Sequence, residues 1–290
     1  MNIFINNHIN TNFSTNESIE NLKSNLSKVE SNLYVVEFFE EILYNQFLEE
    51  NNLKIKPIYG YMKNQNSIKI QMRAILIDWL IEVQYKENFR TETLYQSIWI
   101  IDSYLSLEKI EMSKLQLLGI TALLISCKFN EIYYPKLEEF IRITDNSYKV
   151  SELLEMEKEV LKVLEFEIIS PTSIQFYQLI SKMFNFNEEQ DYFGKFFLES
   201  SLIDYDMISF SPSIIAISCA YIVMKYFKVK NYKYLYHINP FIDYKLMKNL
   251  VKESARNLCF LVKSLSKSNL RSVFLKYSSE QFLGVSKYCE

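Results

Sequence analysis

The run Met72-Arg73-Ala74-Ile75-Leu76-Ile77-Asp78-Trp79-Leu80-Ile81-Glu82-Val83 carries more apolar surface than an ordinary surface helix can use. With each residue about 100° further round a helix, Met72, Ile75, Leu76, Trp79 and Val83 fall on one stripe. Ala74, Ile77, Leu80 and Ile81 fall on a second, with Arg73 at its edge, and Asp78 and Glu82 share the seam. A surface helix normally has one apolar stripe. Two stripes mean either a central helix buried all round, or a helix that keeps one stripe as a groove for a ligand. Trp79 beside Glu82 suits the second case, because an apolar floor with a carboxylate at its rim fits a peptide bearing both a Leu and an Arg.

The rest of the chain is helical in the same sense. It holds only 4 Gly and 5 Pro in 290 residues, too few for a turn-rich sheet protein or a Gly-rich phosphate loop. The length suits roughly two domains. Residues 1–32 are rich in Asn and Ser and are expected to be a disordered tail. Residues 33–66 read as an N-terminal amphipathic helix (Val35, Val36, Phe39, Ile42, Leu43, Phe47) and a linker with Pro57 and Gly60. Helical patterns follow at about 67–85, 91–105, 113–128, 136–143 and 150–164, with Thr91 as the expected cap of the second. Ser170-Pro171-Thr172-Ser173 breaks the series. It resumes at about 173–184, 188–205, 212–227, 243–264 and 268–276. In each half the third helix is almost wholly apolar, hence central. The pattern predicts two all-α domains of similar plan, 67–169 and 170–290.

Catalytic apparatus is missing from this pattern. The two His (His8 and His237) have no companion ligands, so neither a metal site nor a His-based triad is expected. No cofactor motif is present. A net charge of −3 gives no footprint for nucleic acid, and no apolar run is expected to span a membrane. Cys127 and Cys219 sit in apolar runs and read as small buried hydrophobes of a reducing, intracellular setting. The chain reads as a soluble binding protein. Arg73 and Asp102 lie in apolar helices and could form a buried ion pair that fixes how two helices cross. Lys128 and Glu157, taken singly, read as solvated charges.

Met72 to Leu80, Glu92-Thr93-Leu94-Tyr95, Lys114 to Gly119, Ser126 and Lys128 with Glu131-Ile132-Tyr133, Ile143-Thr144-Asp145-Asn146 and Met156-Glu157 resemble the cyclin box of the mitotic cyclins, B-type first and A-type next. The resemblance is strong over about residues 34–170. It is weaker beyond, carried by Pro171-Thr172, Ser201-Leu202-Ile203-Asp204, Ser211-Pro212-Ser213 and Gly284-Val285-Ser286. It implies an all-α fold of two consecutive five-helix cyclin boxes preceded by an N-terminal helix. It also implies a non-catalytic subunit, without cofactor, that binds and activates a mitotic cyclin-dependent kinase at the G2/M transition, in the nucleus and cytoplasm. Cyclins push the kinase C-helix inward and bring its Lys–Glu pair and metal-binding Asp into register.

By the same resemblance Arg73 and Asp102 are the ion pair that orients the first two box helices. Lys128 and Glu157 anchor the kinase C-helix region, and Ile125, Phe129, Leu161, Leu164, Phe166 and Ile168 form the apolar surface that receives it. Met72, Ile75, Leu76 and Trp79, with Glu82 and Gln116, match the patch that docks Arg-x-Leu motifs of substrates and inhibitors. The chain departs from the family pattern at Ser103, Asn130 and Tyr134. Its first residues hold no Arg-x-x-Leu, and Lys86-Glu87-Asn88 spells a degradation motif in a polar turn. Two alternatives remain at this point: a scaffold of an inactive or specialised kinase, which Asn130 leaves open, and a cyclin-fold transcription adaptor, which the acidic balance disfavours.

Overall fold

The computed structural model describes residues 33–289, so the expected tail lies outside the described residues. Among the described residues every element is a helix or a short 3-10 turn. α1 is Leu33–Asn52. Five helices follow: α2 Ile70–Lys86, α3 Thr91–Leu107, α4 Leu115–Asn130, α5 Leu137–Ile143 and α6 Val150–Val163. After Pro171 come α7 Ser173–Met183, α8 Glu188–Ile203, α9 Pro212–Tyr226, α10 Tyr244–Leu265 and α11 Ser272–Ser278.

Each half is built round its third helix. In α4 every residue from Leu117 to Cys127 is buried, and α3 and α6 pack against it. In α9 Ser213 to Ala220 are buried, and α7, α8 and α10 surround it. Over these spans neither helix has room for a polar stripe, because neighbours cover them. One expectation needs correction here. The 19-residue stretch Met112–Asn130 is long and apolar enough, by length and composition, to cross a membrane. A 3-10 turn at Met112–Lys114 runs straight into α4 and supplies the added length, and two thirds of the stretch is buried inside this fold.

Two glycines mark close approaches. A Cβ on Gly119 would stand 2.7 Å from Leu76 Cδ1, so α2 and α4 pack together through that gap. A Cβ on Gly194 would overlap the Tyr177 hydroxyl at 1.8 Å, where α8 lies on α7. Elsewhere Asn does the work usually left to glycine. Asn88, Asn146, Asn185 and Asn231 all have positive φ and turn the chain between elements. Thr91 does not cap α3. It is the first helical residue, and Glu131 at the end of α4 instead accepts hydrogen bonds from the Arg90 N–H at 2.8 Å and the Thr93 hydroxyl at 2.6 Å.

α2 is the seam between the halves. Its neighbours are α3 and α4 of the first half and α8 and α11 of the second. Arg73 donates from Nε and Nη2 to the Asp102 carboxylate on α3, at 2.7 and 2.6 Å. Its Nη1 donates to the carbonyls of Leu202 and Ile203 at the end of α8. The Tyr61 hydroxyl donates to the same carboxylate at 2.8 Å. Further along, Asp78 accepts from the backbone N–H and hydroxyl of Ser272 at the start of α11. Lys276 of α11 donates to Gln84 and to both oxygens of Glu199 on α8, each at 2.8 Å. All three of these side chains are buried.

α1 is anchored at both ends of its described apolar face. Leu43 and Phe47 are buried, with the Phe47 ring against Phe176 of α7. At its far end Glu50 accepts from the N–H of Ser213 at 2.8 Å and from its hydroxyl at 2.6 Å. A carboxylate here satisfies a free N–H in the first turn of α9 and faces the positive end of that helix. Burial pushes the Glu50 carboxyl up to about 7, against the lowering effect of the Ser213 hydrogen bonds and Lys56.

Arg73→Met leaves the Asp102 carboxylate buried without its cation, so the variant is expected to lose on the order of 3–5 kcal/mol of stability in urea unfolding. Adding Asp102→Leu should recover part of that loss, because the uncompensated charge goes with it. Glu50 gives a pH signature. Its folded value lies above its unfolded one of 4.5, so its contribution is fully present below pH 4.5 and is lost as pH rises through about 7. The thermal midpoint of the native chain minus that of Glu50→Gln should therefore fall across this window, by the equivalent of up to about 3 kcal/mol. A difference that is flat in pH would refute the assignment.

Candidate functional site

The sequence points to two surfaces on the first half, and the structure distributes their residues unevenly. At the end of α4, Lys128 Nζ lies 2.6 Å from Glu157 Oε1 of α6. The carboxylate is mostly covered and the ammonium partly exposed. Phe129, beside it, is 52% exposed, and Phe166, just past α6, is 71% exposed. Leu161 and Ile168 are half-buried. Ile125 and Leu164 are buried in the core, so they support this surface from beneath. The loop after α4 adds Ile132, Tyr133 and Tyr134, all exposed, and Ile169 is exposed beyond Ile168.

Two devices hold this surface in shape. Glu165 and Phe166 both have positive φ, at 50° and 59°, a conformation that side chains of this size rarely adopt. The Phe166 N–H donates to the Leu161 carbonyl at 2.9 Å, and the Glu167 N–H donates to that of Leu164 at 2.7 Å. These bonds close the last turn of α6 as a left-handed cap without glycine. Asn130 is the second device. Its amide donates to the Gln96 carbonyl on α3, and Gln96 donates onward to the Ile168 carbonyl at 3.0 Å. The end of α4 and the segment after α6 are thus tied together through α3. Nothing in the local sequence announces this chain of hydrogen bonds. The departure of Asn130 from the family pattern was its one visible sign.

The second surface is the outer face of α2. Ile75 is 60% exposed, and Met72 and Trp79 are half-buried. Leu76 is buried, sunk into the gap over Gly119, so it forms floor rather than rim. Gln116 is half-buried and lies one turn before Gly119 on α4. Glu82 is exposed and pairs with Lys86 one turn on. An exposed pair of this kind is weak, so it leaves Glu82 available to another cation. Arg73, at the edge of the inner stripe, is wholly committed to Asp102 and α8. Of the polar departures, Ser103 is buried and its hydroxyl has no partner, while Tyr134 is half exposed.

Nothing in this geometry resembles a catalytic centre. Among the described residues no group of three or more His, Cys, Asp or Glu could hold a metal ion. The geometry is that of two partly exposed apolar faces on a helical frame. Comparison with known proteins agrees with that frame. The model of the cyclin N-terminal domain matches residues 42–169, and that of the cyclin C-terminal domain matches residues 171–290. The chain belongs to the cyclin family.

Among relatives it resembles the G2/mitotic-specific cyclin-B of Hydra vulgaris, with 33% identity over 83% of this chain and 65% of that protein. It resembles cyclin-B1-3 of rice (Oryza sativa subsp. japonica) with 34% identity over 88% of this chain and 53% of the relative. The chain thus spans between half and two thirds of the length of these relatives. Among solved structures it superposes on a viral cyclin from herpesvirus saimiri, with a TM-score of 0.66 at 17% identity, covering 76% of this chain and 97% of the other. A chain of the yeast RNA polymerase II CTD kinase complex CTDK-1 gives a TM-score of 0.59 at 15% identity, with 73% of each chain covered. These two likenesses concern the fold.

Proposed function

We propose that this chain is the regulatory subunit of a cyclin-dependent kinase of the mitotic class, which it binds and activates; its likeness to proteins named G2/mitotic-specific cyclin-B supports the mitotic class. The observation that carries the reading is the Lys128–Glu157 pair set beside exposed Phe129 and Phe166. Aromatic rings around a partly covered charge pair make the centre of a protein interface rather than a solvated face. The mechanism is selective binding. The chain offers no reacting group; it favours the kinase conformation whose C-helix is turned inward, and the equilibrium shifts by that difference in affinity. The outer face of α2 is the second half of the proposal: Ile75, Met72 and Trp79 receive the Leu of an Arg-x-Leu motif, and Glu82 receives its Arg. Residence in nucleus and cytoplasm belongs to the same reading. A second reading, the scaffold of a specialised kinase, draws on Asn130, whose amide is spent on Gln96 instead of facing a partner.

Kinase activity on a histone-type substrate, with a mitotic kinase already phosphorylated on its activation loop, tests the first reading. The native chain should activate strongly, and Lys128→Ala, Glu157→Ala together should lower activation at least tenfold. The pair is partly solvated, so folding stability of the variant should change by only about 1 kcal/mol. Stable binding without activation would establish the scaffold reading instead, and no binding would refute both. For the docking face, Trp79→Ala should raise KM at least fivefold for a substrate carrying Arg-x-Leu. It should leave the turnover of a short peptide lacking the motif unchanged. Equal effects on both substrates would refute docking.

A further inference from the structure

A third surface lies on the second half, between α9 and α10. α10 carries five cations, Lys245, Lys248, Lys252, Arg256 and Lys263, against one carboxylate, Glu253, in a chain whose net charge is −3. At about 100° per residue, Lys245, Lys252, Arg256 and Lys263 share one stripe. The opposite face, with Met247, Val251, Leu258 and Leu265, is buried. The stripe borders a groove of about 870 Å³ between α9 and α10. Lys225, Lys252, Arg256 and Lys263 line it, with Tyr226 and Phe260, and no acidic residue takes part. Phe260 is 76% exposed, more than any aromatic ring on the outer face of α2.

The four cations are unengaged in a way that the chain's other paired cations are not. Arg73, Lys128, Lys195 and Lys276 each meet a carboxylate within 3 Å. None of the four groove cations forms an ion pair with a described carboxylate. Arg256 Nε donates to the Lys252 carbonyl one turn back, and Lys225 Nζ stands 4.5 Å from the Tyr232 ring centre. We infer that this groove docks a short acidic segment of a partner protein, with one apolar side chain seated on Phe260 and Tyr226 and carboxylates spaced along the cation stripe.

Spacing and shape choose this occupant. Lys252 and Lys263 are eleven residues apart on the helix, about 16 Å. That separation suits several charges along roughly five extended residues, and it is too wide for one phosphate group to bridge. A lipid surface needs a broad apolar edge, whereas here a single strongly exposed ring, Phe260, stands among exposed Arg256, Asn257 and Lys263. A duplex nucleic acid would present its phosphate backbone to the groove and leave the apolar lining unused. A peptide with alternating carboxylates and one aromatic residue fits both features of the groove.

The probe is a fluorescein-labelled hexapeptide, Asp-Glu-Asp-Phe-Glu-Asp, titrated with the full chain and read by anisotropy. Saturable binding is expected, weakened at least tenfold by Lys252→Glu, Arg256→Glu, Lys263→Glu together and at least threefold by Phe260→Ala. Binding should also weaken steeply between 50 and 300 mM salt, as exposed charges are screened over about one Debye length. All the substituted side chains are solvent-facing or half-buried, and circular dichroism checks that the variants fold. No saturable binding, or binding that the triple variant leaves unchanged, would overturn the inference. So would tighter binding to anionic phosphatidylserine vesicles or to a 12-mer oligonucleotide than to the peptide.

Discussion

Arg73 is the contact on which the geometry of both boxes depends. Taking a guanidinium out of water is costly unless its donors are met. Burial alone would lower its hold on the proton, and the facing Asp102 more than reverses that. Two nitrogens go to Asp102 on α3, and the third reaches the last carbonyls of α8, where a helix end carries partial negative charge. One side chain therefore sets the crossing of two helices in the first box and pins the second box to them. Such a pair adds little net stability over a well-packed apolar substitute. Its strength lies in direction, because any other register leaves a charge unmet.

The same logic runs along the rest of α2. Read as apolar stripes, the helix has two candidates for its buried face. In the structure polar groups decide the matter. Arg73, Asp78 and Gln84 reach α8 and α11 of the second box. Leu76 sinks into the first box over Gly119, and Val83 is buried. What remains outside is Ile75, with Met72 and Trp79 half covered and Glu82 at the edge. A helix clamped from two sides by directional bonds cannot rotate to bury those side chains. That is the rigidity the proposed docking of an Arg-x-Leu motif would need.

This explains which parts of the molecule were legible in the sequence. The central helices α4 and α9 were plain, because a continuous apolar run has one helical reading when Gly and Pro are scarce. Their ends were less so. The 3-10 turn at Met112–Lys114 and the glycine-free stops at Asn88, Asn146 and Asn185 carry no strong local signal. The Arg73–Asp102 contact could be anticipated from two charges in apolar helices, but its reach to Leu202 and Ile203 could not. The Glu50–Ser213 and Lys276–Glu199 contacts, spanning 163 and 77 residues, were invisible for the same reason. The outer stripe of α2 placed Leu76 beside Ile75 by period alone. Only the missing side chain of Gly119, on another helix, sends the two residues to opposite environments.

The two boxes share a plan and differ in what they leave uncovered. Each encloses an apolar third helix, which is all that the fold requires. The first box then keeps Phe129 and Phe166 in solvent, and it holds Phe166 there on a left-handed backbone that a plain surface loop would not need. The second box presents a row of cations instead. Apolar rings and unneutralised charges both oppose the solubility and compactness of an isolated chain, and neither contributes to its core. Features that cost the free protein and help no internal contact are what selection for partners leaves behind. These uncovered faces, more than the shared helical frame, would distinguish one member of the cyclin family from another.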